Sequence, residues 1–119
     1  MLETLPHTLL RLEGLAVAAG ALALYIHEDF GWILLAGFAL APDVSFLGYA
    51  AGPRVGAACY NALHTYVLPV ALGTAGVLAD ANLAVQLALI WLLHIGIDRA
   101  LGYGLKYPTR FKDTHLQHV

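Results

Sequence analysis

The chain has 119 residues, 60% of them apolar and 12% charged, with a mean hydropathy of +0.71, whereas a soluble domain is about half apolar and a quarter charged. This excludes an ordinary soluble globule and a disordered chain, and six Lys+Arg against eight Asp+Glu, a net charge of -2, exclude nucleic acid as a partner. At about 20 residues per crossing of a roughly 30 Å hydrocarbon layer, the length suits about four spans in one domain covering residues 1–119.

Span one is expected over Thr8 to Ile26. Its uninterrupted apolar part, Leu15 to Ile26, is too short to cross, so the helix must extend back through Arg11 and Glu13. No small-x-small cleavage site with a polar region comes after it, so it reads as a span and not as a cleaved leader. His27-Glu28-Asp29 leads into span two, Gly31 to Ala51, which contains Pro42 and Asp43. Gly52-Pro53-Arg54 turns the chain into span three, Val55 to Leu78, with Asn61, His64 and Pro69. Asp80-Ala81-Asn82 turns it again into span four, which starts near Asn82 and carries His94 and Asp98 toward its far end. The tail, about 102–119, interleaves aromatic and basic residues and suits the headgroup layer. The lone Cys59 offers neither an internal disulfide nor a zinc-finger pattern.

Loops this short make successive helices antiparallel neighbours, so the expected fold is an all-α, up-down-up-down bundle of four transmembrane helices. With the N-terminus inside, Arg11, Arg54, Arg99, Lys106, Arg110 and Lys112 all fall on one side, and the outer turns hold only Glu28, Asp29 and Asp80. The positive-inside rule then gives an N-in, C-in, multi-pass protein of the inner (cytoplasmic) membrane, with the lipid bilayer as its partner. Gly48 and Gly52 form a GxxxG step, and Gly73 and Gly76 add small faces for helix packing and for a homo-oligomer. Tyr25 reads as interfacial, Trp91 as lipid or core packing and Pro69 as a kink.

Six polar residues sit where a bilayer tolerates them poorly: Glu13, Asp43, Asn61, His64, His94 and Asp98. Three unpaired carboxylates among them would cost on the order of 10 kcal/mol, comparable to a domain's whole stability. All six fall in the cytoplasmic half on four helices, which points to one polar site. His94 and Asp98 at i, i+4 share a helix face, as do Tyr60 and His64, and Asn61 and His64 at i, i+3. Imidazole and carboxylate on facing helices suit a divalent ion such as Zn²⁺, Mn²⁺ or Fe²⁺. The alternative is hydrogen bonding that only fixes helix packing.

The stretches LRLEG, PDVSFLGYAAGPRVGAACYNALHTYVLP and HIGIDRALGYGLKYPTRFKDTHL resemble a family of small four-span bacterial membrane proteins classed as a domain of unknown function. A more distant likeness is to YdjM-type membrane-bound metal-dependent hydrolases, which show a PD motif, a later histidine and a terminal HxxxD. Pro42-Asp43, His64 and His94/Asp98 stand in that order, although the paired His and Ser of those enzymes are missing. The likeness implies a mononuclear centre with Asp43, His64, His94 and Asp98 as metal ligands.

These readings together give a cytoplasm-facing hydrolase of a lipid-borne ester or phosphoester. Glu13 would be a further ligand or the base, Asp98 the other candidate base, and Asn61 the oxyanion donor. Arg54, Arg99 and Lys106 would hold a phosphate or headgroup. The competing expectations are an ion or proton path, a haem protein with His64 and His94 as axial ligands, and a structural cluster.

Overall fold

The structure is a computed structural model that describes residues 5–105; Lys106 and the rest of the basic tail lie outside the described residues. Leu5–His27 form α1 and Trp32–Phe38 form α2, with a 3-10 helix next at Ala41–Ala51. Then come α3 (Pro53–His64), α4 (Val67–Leu78) and α5 (Asn82–Leu101). Together they make four apolar stretches long enough to cross a membrane: Leu5–His27, Trp32–Ala51, Pro53–Leu78 and Asn82–Leu101. The all-helical class and the four spans are as the hydropathy pattern required. Large apolar side chains cover the outside, Ile33 being 91% and Leu78 82% exposed, which suits a surface whose solvent is hydrocarbon.

Three helices end in the same way. Phe30 N–H bonds Tyr25 O and Asp29 N–H bonds Ile26 O; Ala81 and Asp80 do the same to Gly76 and Val77, and Tyr103 and Gly102 to Asp98 and Arg99. The residue just past each end is left-handed: Asp29 (φ 59), Asp80 (φ 53) and Gly102 (φ 98). These are Schellman motifs, which satisfy the last carbonyls and reverse the chain. At the first, Phe30 meets Tyr25 edge-on at 5.4 Å, the apolar contact that accompanies the motif. Tyr25, near the end of its span, is turned into the protein and not outward: it is 2% exposed, and its hydroxyl donates to Gly31 O at 2.5 Å.

Spans two and three are each broken. Pro42 has no N–H, and the chain tightens there into 3-10 geometry, with Asp43 N–H bonding Leu40 O. In span three, α3 stops at His64 and α4 starts at Val67, with Pro69 as its third residue, where a helix N–H has no partner to lose. Pro69 thus permits a break and not merely a kink.

The long 3-10 helix has a packing reason. One 3-10 turn of three residues rises about 6 Å, and four residues of α-helix also rise about 6 Å. An i, i+3 row on the first therefore stays in step with an i, i+4 row on the second. Asp43, Phe46 and Tyr49 face His64, Tyr60 and Gly56 in that order. Gly56 leaves the space that the Tyr49 ring fills, Phe46 lies 5.6 Å from the Tyr60 ring, and Asp43 reaches His64.

The expected GxxxG step divides into two roles. Gly48 packs, since a Cβ there would come within 2.8 Å of Cys59. Gly52 turns the chain at φ 109 with open space around it. Four residues on a 3-10 helix do not return to one face, which is why the step fails as a packing motif. Gly73 and Gly76 do pack, against Ala88 and against Ala84 and Val85 of α5.

α5 is the central helix, contacted by both α1 and α4, while the 3-10 helix packs on α3. The most extensive partner of α1 is α5 and not the adjoining α2, a departure from simple sequential adjacency. The α1–α5 crossing is made at Gly14 and Gly96, where a Cβ on Gly96 would lie 2.6 Å from Gly14 O and 2.7 Å from Ala18 N. At the same end Arg11 Nε donates to Ala100 O at 2.9 Å. The start of α1 and the end of α5 therefore lie on one side of the bundle.

Candidate metal centre

The two breaks and α5 bring four side chains to one point. Asp43 Oδ1 lies 3.3 Å from His64 Nε2 and 3.1 Å from His94 Nε2, and Asp98 Oδ2 lies 3.5 and 3.3 Å from the same two nitrogens. The two Nε2 atoms are 3.2 Å apart. All four ligand atoms fit within 4.8 Å of one another.

The backbone fixes both imidazoles. His64 Nδ1 bonds Tyr60 O at 2.9 Å, and its ring stacks on Tyr60 with centroids 3.8 Å apart. His94 Nδ1 bonds Ala39 O at 2.8 Å. That carbonyl is open because of the proline: Pro42 has no N–H to offer it, and Asp43 N–H goes to Leu40 O instead. A carbonyl only accepts, so each Nδ1 carries a hydrogen and each Nε2 is the nitrogen turned to the carboxylates. With both rings neutral the four facing atoms are all acceptors, a set that a cation would hold together; with a ring protonated, Nε2 donates to Asp43 or Asp98.

The five separations that include a histidine are 3.1–3.5 Å, and ligands bonded to one ion at about 2.0–2.3 Å stand about 3.3 Å apart. The imidazoles lie inside, their side chains 0% and 5% exposed, whereas Asp43 is 35% and Asp98 20% exposed.

Four of the expected site residues therefore meet, from three spans and not four. Glu13 does not join them; it is exposed on α1, beside the Gly14 that packs on α5. Asn61 is half-buried on α3, three residues before His64, and is outside the group of four. Arg99, expected to hold a phosphate, is 5% exposed and donates to His64 O at 2.8 Å and Tyr103 O at 3.1 Å, with its guanidinium carbon 5.6 Å from the Tyr66 ring centroid. Arg54, at the start of α3, is ten residues from His64, about 15 Å along the helix. Arg99 is thus engaged with carbonyls beside the centre, and Arg54 stands at the other end of α3 from His64. The two ring nitrogens expected as alternative haem ligands are 3.2 Å apart with carboxylates against both, closer than the roughly 4 Å of an axial pair across one iron.

Sequence reasoning did not find Trp91 as a contributor: its Nε1 donates to Leu63 O at 2.6 Å. The signal that could have found it is its position one turn before His94, facing a span that contains a proline.

Residues 7–119 match the family described as "Domain of unknown function (DUF4260)". No curated protein and no solved structure matches the chain.

Proposed function

The chain belongs to the DUF4260 family, whose description carries no activity, and we propose that it is a membrane metalloprotein with one divalent ion held by Asp43, His64, His94 and Asp98. The observation that carries this reading is the donor set itself: two imidazole Nε2 atoms 3.2 Å apart between two carboxylates, with both outer ring nitrogens tied to backbone carbonyls. Mixed imidazole and carboxylate ligands suit Mn²⁺, Fe²⁺ or Zn²⁺.

The function that suits this centre is hydrolysis of a lipid-borne ester or phosphoester. An ion held by these four residues would acidify a bound water and polarise a substrate oxygen, and the partly exposed carboxylates leave the centre open on their side. Asp98, with one oxygen toward the imidazoles, keeps a second oxygen as proton acceptor. The order PD, His, HxxxD shared with YdjM-type hydrolases supports the same reading. The one-sided basic residues support an N-in, C-in orientation in the inner membrane, with the centre in the cytoplasmic half.

Elemental analysis of detergent-purified protein tests the first step: one Mn, Fe or Zn per chain is expected, lost in His64→Ala and in His94→Ala. Protein purified without metal that also takes up none on dialysis against Mn²⁺, Fe²⁺ or Zn²⁺ refutes the centre. Metal-loaded protein that cleaves neither ester nor phosphoester lipids in mixed micelles refutes hydrolysis alone.

A further inference from the structure

The break in span three creates a second problem that α5 solves. When α3 stops at His64 its last carbonyls lose their helical partners, and in hydrocarbon no water replaces them. Two of these carbonyls, Leu63 O and His64 O, receive donors from α5: Trp91 Nε1 at 2.6 Å and Arg99 Nη2 at 2.8 Å. The two donors lie on either side of His94 and Asp98 along α5. A cation at this place also opposes the negative end of the α3 dipole.

We propose that Trp91 and Arg99 are positioning residues of the metal centre, clamping the broken end of α3 so that His64 meets His94 and the two carboxylates. This rests on the metal reading above. α5 then carries half of the ligands together with both clamps, and the height and rotation of His64 are set by the same helix that bears its partner histidine. Arg99 is further held by Tyr103 O, which the Schellman turn at Gly102 presents to it. The C-terminal turn of α5 is thereby linked to the centre.

The test is a Co²⁺ titration of the full chain in detergent, read by visible absorption, for the parent, Trp91→Phe, Arg99→Lys and Arg99→Gln, with Trp32→Phe as control because Trp32 is 59% exposed. Outer partners of metal ligands usually matter by 10–100-fold in affinity. Trp91→Phe and Arg99→Gln should each weaken Co²⁺ binding about tenfold and alter the absorption band. Arg99→Lys, which keeps a cationic donor, should recover part of the loss, and Trp32→Phe should match the parent. A merely structural role lowers the melting temperature and leaves affinity and band shape unchanged; affinities within twofold of the parent in every folded variant would overturn the proposal. A parent that binds no Co²⁺, Mn²⁺ or Fe²⁺ removes the metal reading and this one with it, whereas a binding parent with indifferent variants removes only the clamp.

Discussion

His94→Ala separates the ion's contribution to stability from that of the scaffold. In the parent, Mn²⁺ at a hundredfold excess over its dissociation constant should stabilise the folded chain by about 2.7 kcal/mol. His94 makes three of the five close separations at the centre, 3.1 Å to Asp43, 3.2 Å to His64 and 3.3 Å to Asp98. Its removal leaves three ligands on three spans, joined only through His64, and should abolish this increment. A second loss does not depend on metal: Ala39 O, bonded by His94 Nδ1 at 2.8 Å, is left without that donor, at a cost of about 1–3 kcal/mol. Thermal unfolding in detergent with chelator and with Mn²⁺ reads both. The variant should melt below the parent in chelator, and added Mn²⁺ should widen the gap because only the parent responds. An equal Mn²⁺ response in both proteins would refute the assignment of His94 as a ligand, and equal melting in chelator would refute the role of the Ala39 carbonyl.

Gly96→Ala should destabilise by about 1–3 kcal/mol by overpacking, since its Cβ would meet the backbone of Gly14 and Ala18. Gly20→Ala, with nothing within 4 Å, should instead be neutral or stabilising by up to about 1 kcal/mol, and thermal unfolding compares the two. Asp80→Gly should raise stability by a few tenths to about 1 kcal/mol by relieving the left-handed backbone at φ 53, and Gly102→Ala should lower it by about 1 kcal/mol at φ 98; opposite signs in the same melts would contradict the turn geometry. Gly56→Leu should expel the Tyr49 ring and disturb the row that ends at Asp43, weakening metal uptake as well as stability. A reporter fused after Val119 should be active in the cytoplasm, and periplasmic activity would reverse the orientation.

Much of the architecture is legible in the sequence because it depends on local physics. Hydropathy over about 20 residues sets the spans, one-sided charges give their expected orientation, and the i, i+4 spacing of His94 and Asp98 puts both on one helix face. Asp43 and His64 were also readable as candidates, because an ionisable side chain in hydrocarbon demands a partner. Depth alone did not say which of the six polar residues meet; the resemblance singled out Asp43, His64, His94 and Asp98, the four that come together. Glu13 lies at a similar depth to the others but points outward, and depth says nothing about rotation around the helix axis. The 3-10 geometry of Ala41–Ala51 was hidden as well, because Pro42 announces a break but not the backbone geometry beyond it. That geometry rotates Asp43 toward the imidazoles, frees Ala39 O for His94 and separates the roles of Gly48 and Gly52. Trp91 and Arg99 reveal their roles only once the broken end of α3 lies against α5, since a carbonyl left open by one helix can be satisfied from a distant part of the chain. Spacing along the sequence determined the helices and the candidate ligand types; the tertiary structure decided which carbonyls were left open, which donors reached them, and therefore which imidazole nitrogens face the carboxylates.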